Sequence, residues 1–157
     1  PEWKQTELSR SLLDGLSSGF TEEEKFAASV ACVDLNKLPA LLEALRMPKK
    51  LTEFALLFSE SLRDGFECAS DGKGVLSVLR RKDALRRPER FAQLLRLKEA
   101  HHIDSEKKWL MSAEAVRSLD FRSISAAAPD KSRVPELIEE ASVRAIDKAL
   151  DKFADQH

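Results

Sequence analysis

The residues with the clearest capacity for chemistry form one basic segment just past the middle of the chain. Between residues 80 and 98, eight lysines and arginines stand against only Asp83 and Glu89, whereas the whole chain of 157 residues has a net charge of −1. A dense group of cations can bind phosphate groups, although a solvated surface that binds nothing has the same composition. The candidate phosphate-binding residues are Arg80, Arg81, Lys82, Arg86, Arg87, Arg90, Arg96 and Lys98.

Pro88 predicts the start of the helix that positions this segment. Its fixed φ and missing N–H suit the first turn of a helix, and it pushes Arg87 toward extended geometry. Helical spacing then predicts a buried side made by Phe91, Leu94, Leu95 and Leu97. The same spacing turns three polar side chains toward water, those of Glu89, Gln93 and Arg96.

Other kinds of site chemistry have little support in the sequence. None of the three histidines, His101, His102 and His157, lies in the first hundred residues. His101 and His102 follow a predicted helix end, where we expect them to satisfy terminal carbonyls rather than to bind a metal. The glycine-containing stretch at residues 70–74 lacks the spacing of a phosphate-binding P-loop and predicts a plain loop. We therefore predict no catalytic residue and no metal site in this chain.

The rest of the chain is typical of a succession of amphipathic helices. Thr21 and Glu24 have the spacing of a capping box, which predicts a helix start directly after Thr21. Prolines open several other helices, and no alternating run predicts a strand. The expected helices are Thr6 to Leu16, Thr21 to about Leu35, a short one from Pro39, one after Met47-Pro48 that runs through Leu51 and Leu62 and is ended by Gly65, Val75 to Arg81, one from Pro88, Ser105 to about Asp120 and one from Pro135. A small-residue loop is expected from Phe121 to Ser132.

Length and composition indicate an all-α fold, a bundle of about seven to eight helices. With 43% hydrophobic and 34% charged residues, the chain has the balance of an ordinary soluble helical protein. The sequence contains no apolar run long enough to cross a membrane and no signal-peptide pattern. Cys32 and Cys68 form no motif, so we expect a reducing, cytoplasmic location. Because the chain begins at Pro1 rather than Met, we expect it to be part of a longer protein.

Three stretches carry a resemblance to a known family. Asp83 to Leu95 has the pattern Asp-x-x-Arg-Arg-Pro-Glu-Arg-Phe-x-x-Leu-Leu, and Pro135-Glu-Leu-Ile leads to Arg144-Ala-Ile. Phe26 to Lys37 is similar to a helix that ends in Cys-His-Asp-x-Gly-Lys, the signature of an HD-type domain, with Val33 in place of the His and Asn36 in place of the Gly. Together these stretches resemble the C-terminal half of bacterial CCA-adding tRNA nucleotidyltransferases.

The resemblance implies a degenerate HD-like core in residues 1–81 and a helical C-terminal region in residues 82–157, packed together as one unit. Since Val33 replaces the His, Asp34 is left as a lone carboxylate and no metal is expected beside it. The eight basic residues are then expected to bind RNA through the tRNA backbone, because RNA helices are recognised mainly through phosphates and shape.

The same resemblance implies two partners, tRNA and the protein's own N-terminal nucleotidyltransferase head, which lies outside this sequence. That head would carry nucleotidyl transfer with Mg²⁺, CTP and ATP, so this chain alone is expected to be inactive and to need no cofactor. The alternative is an all-helical protein-interaction module derived from an HD-like fold that does not bind nucleic acid.

Overall fold

The structure, a computed structural model, describes residues 19–64, 66, 69–99 and 106–155. Within these ranges it has eight α-helices, a short 3-10 helix at Lys131–Arg133 and no strand, which confirms the predicted all-α class. The helices are α1 (Glu22–Val30), α2 (Leu38–Ala44), α3 (Lys49–Ser61), α4 (Gly72–Arg81), α5 (Pro88–Glu99), α6 (Glu106–Arg117), α7 (Phe121–Ala126) and α8 (Val134–Ala154). The predictions made for Thr6 to Leu16, Gly65, Cys68, His101, His102, Ser105 and His157 lie outside the described residues.

Two predicted helix starts are confirmed by local hydrogen bonds and geometry. At α1 the Glu24 N–H donates to Thr21 Oγ1 over 3.3 Å, and the Thr21 N–H donates to Glu24 Oε2 over 2.7 Å, which completes the capping box. Helix α5 begins at Pro88 as its ring geometry requires. Its predicted apolar side chains Phe91, Leu94, Leu95 and Leu97 are all buried.

Two other boundaries differ from the prediction, and an aspartate forms a turn or a cap near each of them. Helix α1 ends at Val30 rather than near Leu35, and beyond this end the Asp34 carboxylate accepts the Asn36 N–H over 2.8 Å and opens a new turn. Helix α4 begins at Gly72 rather than Val75, because Asp71 caps it by accepting the Gly74 N–H over 3.0 Å.

The predicted loop from Phe121 to Ser132 was wrong over its first half, which forms α7. The Asp120 carboxylate accepts the N–H groups of Arg122 (3.1 Å) and Ser123 (3.2 Å), so it satisfies two donors at the start of this helix. Farther on, Asp130 accepts the Ser132 N–H over 3.0 Å and starts the 3-10 turn in the same way.

Contacts between Cα atoms divide the chain into two units. The first unit comprises the described residues up to Phe66 and the stretch that begins at Ala92. In it, α3 packs against both α1 and α2. Its largest buried side chains include Leu38, Leu42, Phe54, Phe58, Leu94 and Leu97. The predicted division between residues 81 and 82, and the HD-like character of the part before it, follow the family resemblance and stay predictions.

The second unit comprises residues 67–91 and the chain from Ser105 onward. Its long helix α8 packs against α4, α6 and α7. The Phe91 ring lies edge-on to Trp109 with centroids 6.4 Å apart, and both side chains are buried. None of the described helices is long and apolar enough to cross a membrane.

The start of α4 is tied to α8 by a close approach at Gly72. The Gly72 N–H donates to Asp147 Oδ1 over 2.7 Å, so a carboxylate from a distant helix satisfies a donor at the α4 start. A Cβ added at Gly72 would lie 2.5 Å from that oxygen and 2.7 Å from the Val143 carbonyl oxygen. Only glycine fits this approach without a shift, and it sets the position of α4 within the second unit.

Candidate nucleic-acid interface

A tight turn between α4 and α5 positions the exposed part of the basic segment in the second unit. After Arg81 the chain turns at Asp83, whose φ of 56° lies in the left-handed region that aspartate tolerates better than most residues. The Ala84 N–H donates to the Leu79 carbonyl (2.9 Å), and the Arg87 N–H donates to the Asp83 carbonyl (2.9 Å). Because Ala84 is buried, the turn is held from inside and its arginines project outward.

Arg86 and Arg87 share one carboxylate across this turn. The Arg86 Nη2 lies 2.9 Å and its Nε 3.3 Å from Asp83 Oδ2, while the Arg87 Nε lies 3.4 Å from the same oxygen. The side chains of Arg86 and Arg87 are 75% and 45% exposed. The hydrogen bond to Asp83 raises the pKa of the Arg86 guanidinium, so Arg86 is a cation at any pH at which the protein is folded.

Arg80, at the end of α4, forms an ion pair across to α8. Its Nη1 lies 2.8 Å from Glu139 Oε2, and each of the two side chains is about half exposed. The hydrogen bond from Arg80 lowers the pKa of Glu139, so this carboxylate is charged at neutral pH. Of the other predicted residues in this unit, Arg81 is exposed and Arg90 is half-buried.

Two of the eight predicted residues do not face solvent. Lys82 is 3% exposed and Lys98 is 2% exposed. In the first unit the Lys98 Nζ donates to the Ser61 carbonyl over 2.7 Å and lies 4.2 Å from the centroid of the Phe66 ring. Because both side chains are buried, we leave Lys82 and Lys98 out of the interface.

Arg96 is exposed on α5 as predicted, yet its hydrogen-bond donors are directed into the first unit. Its Nε and Nη2 bind both oxygens of the fully buried Glu24 carboxylate at distances of 2.6 to 3.0 Å. Its guanidinium also lies 5.3 Å from the centroid of the Phe20 ring. The partner was missed because Glu24 lies 72 residues away and its capping role alone explained its place in the sequence.

The turn after α1, where the resemblance places the eroded HD signature, is held by a guanidinium. Arg63 donates to the carbonyl oxygens of Ala31 (3.2 Å), Val33 (3.1 Å) and Ser59 (2.6 Å). Asp34 is exposed, and its carboxylate accepts the Asn36 N–H. No group of three or more His, Cys, Asp or Glu side chains that could hold a metal occurs among the described residues.

Fold and surface together define an all-α protein with exposed arginines around the turn between α4 and α5. Similar sequences occur in multifunctional CCA proteins. That of Dechloromonas aromatica is 36% identical over 128 residues, which cover 74% of this chain and 31% of that protein. That of Azoarcus sp. is 33% identical over 137 residues, or 81% of this chain and 29% of that protein. That of Laribacter hongkongensis is 34% identical over 123 residues, or 70% of this chain and 30% of that protein.

These relatives confirm the predicted resemblance to CCA-adding proteins. The chain spans about a third of the length of the curated relatives it matches. No protein-family model matches the chain, and no solved structure matches it either.

Proposed function

We propose that this chain is the C-terminal, tRNA-binding body of a cytoplasmic CCA-adding protein. In this proposal it holds the tRNA backbone while an N-terminal head, outside this sequence, transfers the nucleotides. The relatives support the first part, since they carry the name multifunctional CCA protein and the chain matches about a third of their length. In this proposal the head also binds Mg²⁺, CTP and ATP, as the resemblance to CCA-adding enzymes implies.

The observation that carries the binding role is the exposure of Arg86 and Arg87 on a turn held by backbone hydrogen bonds. A guanidinium has five N–H donors, and Arg86 uses only its Nε and one Nη nitrogen on Asp83. Its Nη1 can still donate to a phosphate oxygen. Because exposed ion pairs of this kind are weak, a phosphate can also compete with Asp83 for both arginines.

The proposal is tested by the affinity of the chain for tRNA. We expect the double variant Arg86→Ala, Arg87→Ala to bind tRNA about tenfold or more weakly. Each lost phosphate contact means that fewer counterions are released from the RNA on binding, and this release favours binding. The weakening should be similar for different tRNAs, since contacts to the backbone carry little sequence information. Fluorescence anisotropy with two labelled tRNAs measures both effects.

The matched control is Arg117→Ala with Arg122→Ala, which removes the same charge from two exposed arginines on α6 and α7. Its affinity should stay within about threefold of the parent chain, as expected for a general change in net charge. Equal loss in both double variants would mean that only net charge matters, and it would contradict a defined interface at the turn.

A further inference from the structure

The second unit contains an open cleft of about 530 Å³ along one side of α4. The positions that α4 contributes are spaced by three and four residues, so they share one face of the helix. Leu76 is buried beneath this face, whereas the polar side chains beside it are exposed. The cleft is lined by Lys73, Leu76, Ser77, Arg80, Arg81 and by Glu139 of α8.

The charges of the cleft favour an anion. Its lining includes three cations, Lys73, Arg80 and Arg81, and one carboxylate, that of Glu139. The hydrogen bond from Arg80 and the nearby charge of Lys73 both lower the pKa of this carboxylate. The cleft therefore already binds one anionic group of the protein itself, through a half-exposed ion pair that is weak in water.

We infer that this cleft is a phosphate subsite, in which a backbone phosphate of RNA takes the place of the Glu139 carboxylate on Arg80. The planar guanidinium fork matches two phosphate oxygens as well as it matches a carboxylate, and the Lys73 ammonium adds a second positive charge. The Ser77 hydroxyl can donate a further hydrogen bond from the same helix face. Lys73 and Ser77 lie outside the basic segment of residues 80–98, so the sequence pattern did not indicate them.

This inference rests on the proposed function, because it takes the phosphate to come from RNA. Helix α4 ends at Arg81 and leads through the turn at Asp83 to Arg86, so the cleft and the exposed arginines belong to the same unit. The same chemistry would also bind free inorganic phosphate, and the two sources require separate measurements. Glu139 acts in either case as a competitor that the ligand must displace.

Two substitutions with opposite expected effects test the subsite. Lys73→Ala removes a cation and should weaken tRNA binding by about three- to tenfold, whereas Glu139→Gln removes the competing carboxylate and should tighten it by about two- to fivefold. The controls are Lys131→Ala on the 3-10 turn and Glu140→Gln, the neighbour of Glu139 that pairs with Arg144. Each control makes the same charge change outside the cleft lining and should change affinity by less than about twofold.

The outcomes separate this inference from the proposed function. If the parent chain binds tRNA but Lys73→Ala and Glu139→Gln have the same tRNA affinity as their controls, the inference of a phosphate subsite is overturned and the proposed function stands. If inorganic phosphate shifts the amide resonances of α4 while tRNA binding ignores both substitutions, the cleft is a free-phosphate site and the RNA subsite is overturned. If the parent chain binds no tRNA, both are overturned.

Discussion

In the first unit, Lys98 donates to a backbone carbonyl in the interior, and Arg96 lies against a carboxylate that water does not reach. In the second unit, Arg80, Arg86 and Arg87 lie on the surface beside carboxylates that are themselves partly exposed. A phosphate can compete with an exposed carboxylate, but removing Arg96 from Glu24 leaves a buried charge without its partner. The basic segment therefore contains two kinds of cation, internal ones that bind groups of the protein and surface ones. Only the surface cations are suited to bind a phosphate.

We expect the largest loss of stability from a change on the apolar side of α5 and not from a change to either kind of cation. Phe91→Ala empties a position that is 1% exposed and packed edge-on to Trp109. We expect it to lower the free energy of unfolding by roughly 3–5 kcal/mol. Urea unfolding followed by far-UV circular dichroism measures this loss. A loss below about 1 kcal/mol would mean that α5 is not anchored by this ring.

We expect a smaller decrease in the free energy of unfolding from Arg96→Ala, a variant that tests the internal kind of cation. Since Glu24 is fully buried and Arg96 is 45% exposed, we expect a loss of roughly 2–4 kcal/mol, somewhat below the usual cost of breaking a fully buried pair. The matched control is Arg86→Ala, whose partner Asp83 remains in contact with water. It should leave the urea midpoint unchanged within error.

A double variant that removes both charges of the Arg96–Glu24 pair extends this test. Glu24→Gln with Arg96→Met removes both charges, and it should recover part of the stability lost in Arg96→Ala because no buried charge is left unpaired. If Arg96→Ala and Arg86→Ala prove equally harmless, the distinction between internal and surface cations fails.

Local signals predicted much of this fold because they act over a few residues. The capping box of Thr21 and Glu24, the start at Pro88 and the buried side of α5 each depend on neighbours within one or two turns. The helix α7 escaped prediction because it has only six residues and its strongest signal is the cap at Asp120.

The candidate site was harder to predict, because exposure depends on partners that are distant in sequence. The sequence places eight cations in one segment, but nothing near Lys98 indicates the Ser61 carbonyl, and nothing near Arg96 indicates Glu24. For the same reason Lys73 was left out, since it joins the cleft only through its helix face and through Glu139 of α8.

The most direct test of the account is the salt dependence of tRNA binding. Affinity for tRNA should be measured at several salt concentrations for the parent chain, for Arg86→Ala with Arg87→Ala, and for the Arg117→Ala, Arg122→Ala control. If both turn arginines contact phosphates, the slope of log affinity against log salt should flatten by about 1.4–2 in the first double variant and by much less in the control. An unchanged slope in the Arg86→Ala, Arg87→Ala chain, with the fold intact, would contradict the claim that this turn binds the tRNA backbone.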